Sequence, residues 1–196
     1  MHRTWSLAFA LTLAGIPLAA AAPPRLSPAD AEKQLAARAA EVVAVMATEN
    51  NLAKLALYVH RGKGVRFSPY GRMSKKELVV QAGDLPLLWN DGRVYVWGRA
   101  IPSGNPIDLR FPEYWRRFVY GQDFAHAPQI AYNRVIDPGT LKENSADFYP
   151  GSAFVEYFFP GDTEGAGVDW EGLRLVFERE KEEWRLVAIV HVAWTP

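Results

Sequence analysis

The hydrophobic positions of this chain first recur at helical spacing and later alternate as in strands. Leu35, Ala39, Val42 and Met46 fall on one helical stripe, with Glu32, Lys33, Arg38 and Glu41 on the other side. Ser27 is placed to cap this helix, Pro28 suits its first turn, and Asp30 stands three residues after the cap. Asn50-Asn51 interrupts the pattern, and Leu52 to Val59 resumes it as a second helix. The run His60-Arg61-Gly62-Lys63-Gly64 ends that helix, and Val65-Arg66-Phe67 reads as a strand stopped by Ser68-Pro69. Ser74 predicts a short helix over Lys75 to Gln81. "NDGRVYVWG" predicts an Asp-Gly turn and a strand from Val94 to Trp97, and "SGNPIDL" a loop. Pro112 opens a helix whose apolar side is Tyr114, Trp115, Phe118 and Val119, with Gly121 as terminator.

Alternation dominates the remainder. Ile130 to Val135 predicts a strand and Asp137 to Ser152 a long loop, after which "AFVEYFF", "LRLVF" and "WRLVAIVHVAW" predict strands. The last two form a hairpin across "EREKEE". With Lys181-Glu182 at the tip, Phe177 meets Leu186, Leu175 meets Ala188 and Leu173 meets Val190. Trp184, Val192 and Trp194 share that apolar side, which should face the helices. The other side pairs Glu178 with Arg185, Val176 with Val187 and Arg174 with Ile189, and ends in His191. Helices followed by antiparallel strands predict an α+β fold, with N-terminal helices packed on a curved, mostly antiparallel sheet.

Composition narrows the class. With 196 residues, 49% of them hydrophobic, the chain can form one globular domain, expected over residues 28–196. Residues 1–21 read as a signal peptide: Arg3, an apolar stretch from Trp5 to Leu18, and an Ala19-Ala20-Ala21 cleavage pattern, with 22–27 as a link. An uncleaved anchor is the alternative. The expected location is therefore periplasmic or extracellular, with no membrane contact after cleavage. The chain has no cysteine, so neither disulfides nor thiolate metal sites are available to it. Lys plus Arg equals Asp plus Glu, 22 each, which gives no general attraction to nucleic acid.

The order of helices and strands resembles, in layout, the nuclear transport factor 2-like cone. The segments "GVRFSPY", "YVWG", "EYWRRFVYGQDF", "AYN", "FVEYFFPG", "DWEGLRLVFE" and "WRLVAIVHVAWT" resemble an exported bacterial family of unknown function, over about Leu52 to Thr195. That resemblance implies an exported single domain and no activity. The family carries an acidic residue directly after its last histidine; here that place is Val192, a departure.

Little in the sequence resembles catalytic machinery. "YVHRGKGVRFSPYGR" concentrates cations and glycines, but it follows a helix instead of preceding one, so a helix-ending turn explains it better than an anion loop. Anion binding by Arg61, Lys63 or Arg66 is the alternative. "GDTEGAGVDWEG" resembles a calcium loop from Asp162, yet Ala166 and Leu173 stand where ligands are required. His60, His126 and His191 lack metal-ligand spacing, and no nucleophile elbow is present, so neither a metal nor a cofactor is expected. Glu156 lies on one face with Phe154 and Phe158 and should pair with a cation, Arg174 being the candidate. Glu156, Arg174 and His191 gathered in a pocket would instead suggest acid–base chemistry. Tyr95, Trp97, Tyr114, Tyr132, Tyr157 and Trp194 are candidate ligand-lining aromatics. The leading expectation is non-catalytic binding of a small ligand or a cell-envelope partner. A small-molecule hydrolase or isomerase using a Glu–His pair, and a self-associating structural module, are the alternatives.

Overall fold

Helix α1 (Pro28–Met46) starts where its cap stands: the Asp30 N–H donates to Ser27 Oγ at 3.2 Å. It buries Leu35, Ala39, Val42, Val43 and Met46 against a sheet. The structure, a computed structural model, describes residues 24–136, 142–161 and 169–193. The expected signal segment and Trp194 lie outside the described residues, as does most of the acidic loop at 162–168.

The elements that follow are α2 (Leu52–Ala56), β1 (Val65–Ser68), β2 (Val79–Val80), β3 (Tyr95–Arg99), β4 (Pro106–Leu109), α3 (Phe111–Phe118), β5 (Gln129–Tyr132), α4 (Ser145–Phe148), β6 (Ala153–Phe159), β7 (Glu171–Glu180) and β8 (Glu183–Ala193). Six strands form one sheet in the order β2-β1-β8-β7-β6-β5, antiparallel except where β1 runs parallel to β8. β3 and β4 form a separate two-stranded sheet. The fold is α+β with a mostly antiparallel sheet, as the order of patterns predicts.

Several local expectations are corrected. Lys75 to Gln81 is not a helix: Val79 and Val80 pair with Arg66 and Val65, because three consecutive apolar residues suit a sheet edge better than a helical stripe. "SGNPIDL" contains β4, with Pro106 at the strand start, where a missing N–H is tolerated. The second helix stops at Ala56, and Val59 instead bridges to Leu186. β5 ends at Tyr132, before the positive φ of Asn133. The 137–152 loop contains α4 within its described part.

The hairpin register is half right. Glu180 meets Glu183, Glu178 meets Arg185 and Phe177 meets Leu186, as expected. A bulge then inserts Val187, so Val176 meets Ala188, Arg174 meets Val190 and Leu173 meets His191. Beyond the bulge every β8 side chain is on the opposite face from the one expected. Ile189 joins the helix-side cluster, while Val190 and Val192 join the outer one. His191 consequently shares the helix side with its partner Leu173, and its ring meets that of Phe118 edge-on at 5.5 Å.

Both sheet faces are covered. α1, α2 and α3 pack on the inner face around Phe67, Trp97, Tyr114 and Leu175. The outer face is covered by Met73, Tyr149 and Trp170, which pack with Phe154, Val176 and Val190. No described helix is long and apolar enough to cross a membrane.

Candidate functional site

The chain leaves β1 at Ser68 and runs through residues 69–77 before returning as β2. This segment contains little regular structure, so side chains must satisfy its backbone groups. The His191 ring reaches the Pro69 carbonyl (Nδ1···O 3.2 Å), Ser68 Oγ lies 2.8 Å from the Tyr70 carbonyl, and Arg174 donates to the Gly71 carbonyl at 3.1 Å. The Asn144 amide bonds Met73 both ways, accepting its N–H at 2.9 Å and donating to its carbonyl at 3.0 Å. Arg66 donates to the Ser74 carbonyl at 2.7 Å. The segment is thus held as a wall by the sheet beneath it and by α4 at its flank.

The facing wall is β3 and the turn after it. The Ile101 N–H donates to the Tyr70 hydroxyl at 3.2 Å. A Cβ added at Gly98 would lie 3.0 Å from Pro69 Cγ, so glycine permits this close approach. Between the walls lies a cleft of about 340 Å³. Pro69, Tyr70, Val96, Gly98 and Ile101 give it a largely apolar lining, Glu77 contributes a carboxyl group, and Arg72, Lys76 and Arg99 also border it. Those three cations are exposed, and none has a carboxylate within ion-pair distance among the described residues.

Glu77 is the unusual group. Its side chain is only 5% exposed, and Oε2 has no hydrogen-bond partner among the described residues. Burial pushes its pKa up to about 7, against the opposing pull of the Ser74 backbone, the Ser68 hydroxyl and the Arg66 guanidinium. Ser68 Oγ lies 2.9 Å from Glu77 Oε1 and 2.8 Å from the Tyr70 carbonyl, but a hydroxyl has one proton to donate. A protonated Glu77 resolves the conflict by donating from Oε1 to Ser68, which then donates to Tyr70. The Tyr114 hydroxyl is also buried and unpartnered among the described residues; burial, then the Glu77 charge, pushes it well above its ordinary value. Sequence reading missed Glu77. Its surroundings, "KKELVV", resemble the polar side of a short helix, and nothing there signals burial.

The described residues nominated from sequence lie outside the lining of this cleft, though Arg174 and His191 bond its wall. Arg174 and Glu156 form a buried ion pair (2.6 Å), and Glu156 also accepts the Ile136 N–H at 2.9 Å. His191 lies on the opposite sheet face, with Glu171 as its carboxylate neighbour at 3.2 Å. The three therefore do not converge on one pocket: Arg174 and His191 support the cleft wall from behind. Lys63 is 2.6 Å from Glu178, and Arg61 is 3.9 Å from Glu180. Arg66 is committed to the Ser74 carbonyl, and Gly64 takes the left-handed turn that ends this loop (φ +71°). Tyr95 donates to Asp91 at 2.7 Å, while Trp97 donates to the Leu109 carbonyl and stacks on Tyr114 at 4.1 Å. Tyr132 is half-buried and Tyr157 buried; burial raises both phenols. None of these aromatics lines the cleft.

No group of three or more potential ligands among the described residues is arranged to hold a metal ion. No family model, curated protein or solved structure matches the chain.

Proposed function

We propose that this chain is an exported domain that binds a small organic ligand, without catalysis, in the cleft between residues 69–77 and β3. The observation that carries this reading is a cross-braced cleft of about 340 Å³ with a largely apolar lining, one buried carboxyl group at Glu77 and three cations at its border. A mostly apolar cleft with a few polar groups at its border is the usual form of a small-ligand site. The walls are cross-braced by side chains before any ligand arrives, which limits the ordering cost of binding. An acid–base enzyme built on histidine is less well supported, because neither His191 nor Glu171 borders this cleft.

The test is thermal stabilisation by a panel of small organic acids, amines and neutral compounds. At least one class should raise the melting temperature of the native protein. The variant Val96→Trp/Ile101→Trp, which crowds the cleft, should fold but lose that response. An unresponsive native protein, or an equal response in the crowded variant, would refute the reading.

A further inference from the structure

The cleft has a polarity that specifies more than a size. Its single carboxyl group, Glu77, is buried, and its cations, Arg72, Lys76 and Arg99, are exposed. Arg99 spends one N–H on the Gly104 carbonyl at 2.8 Å; Arg72 and Lys76 make no side-chain hydrogen bond to a described residue. Elsewhere Arg93 is committed to Asp91, Arg116 to Glu49 and Lys63 to Glu178. Three uncommitted cations around one apolar cleft give it a local positive potential that the balanced whole chain lacks.

We infer that the ligand is an amphipathic organic anion, whose acid group lies against Arg72, Lys76 and Arg99 and whose apolar body lies against Pro69, Val96 and Ile101. This rests on the binding reading above and deepens it to a ligand class. At about 340 Å³ the space lies near the lower end for ligand pockets, which suits one or two rings or a short aliphatic chain. The order of charges also fixes the direction of entry. The acid group remains where water and cations solvate it, and the apolar body goes inside.

The groups facing Glu77 set the pH response. Arg66 and Ser68 come from β1, Ser74 from the wall, Tyr114 from α3, and the cations from the cleft border. An anionic ligand is repelled by an ionised Glu77 and tolerated by a protonated one. Affinity therefore falls as pH rises through about 7.

The test uses two dyes with the same body. Anilinonaphthalene sulfonate has an anionic group and one N–H; N-phenylnaphthylamine keeps the N–H and lacks the anion. Calorimetry on the mature protein should give one site for the sulfonate, weakened about tenfold or more in Arg72→Gln/Lys76→Gln/Arg99→Gln. Binding of the neutral dye should change by less than about twofold in that variant. Arg72→Lys/Arg99→Lys, which keeps the charges, should bind the sulfonate as the native protein does, and near-ultraviolet circular dichroism should report every variant folded. In Glu77→Gln the fall in sulfonate affinity between about pH 6 and about pH 8 should vanish. Equal sulfonate binding in the triple Gln variant, or equal loss of both dyes, would overturn the ligand class. Binding of the neutral dye alone would do the same and leave the cleft reading standing. Binding of neither dye to the folded protein would refute both.

Discussion

Glu77 links stability to pH in the direction opposite to most carboxylates. Its pKa in the folded chain is about 7 against an ordinary 4.5, so between these values the native state holds a proton that the unfolded chain has released. Stability from this group is complete below about 4.5, declines as pH rises, and is lost above about 7. The size is roughly 3 kcal/mol, since each tenfold gain in proton affinity on folding is worth about 1.4 kcal/mol. Denaturant unfolding at a series of pH values should show this decline in the native chain, while Glu77→Gln should be flatter by about that amount. Equal slopes in the two proteins would mean that Glu77 is not the titrating group.

At the scale of elements, the buried pair of Arg174 and Glu156 joins β6 to β7 and extends to the wall through the Gly71 carbonyl. Arg174→Met would leave the Glu156 carboxylate without its cation and should cost about 3–5 kcal/mol in urea unfolding. Adding Glu156→Gln should restore part of that loss, since the stranded charge is then gone; no recovery would mean that shape, not charge, makes the contact valuable. This pair was legible in the sequence because a glutamate between Phe154 and Phe158 has few other means of being accommodated. The face of His191 was not legible. Strand alternation conveys sides only while the register is unbroken, and the bulge at Val187 leaves no mark in a run of valine, alanine and isoleucine. The same limit hid β4 and β2, which are short and take their stability from partners distant in sequence. It hid the cleft as well. Its walls come from segments separated by β2 and the turns that follow it, and Glu77 becomes buried only when they meet.

Across the whole molecule, the helix and strand patterns were sufficient for the fold class, because one apolar stripe per helix and one per strand leave few ways to bury both. Export, as proposed, would remove the first segment of the chain. N-terminal sequencing of material recovered outside the cytoplasm should begin near Ala22, whereas a protein retaining Met1 in a membrane fraction would contradict it.

The parallel contact between β1 and β8 has a consequence for how the chain is made. β8 is flanked by β1 and β7, so the sheet has no continuous middle until residues 183–193 have left the ribosome. Earlier segments can form α1 and the β3–β4 ladder, but β1 and β2 have no partner on their β8 side. The nascent chain accordingly remains open until β8 emerges, and closure waits on a contact of very large sequence separation. If the chain is exported unfolded, in keeping with the proposed export, that delay keeps the thread slack.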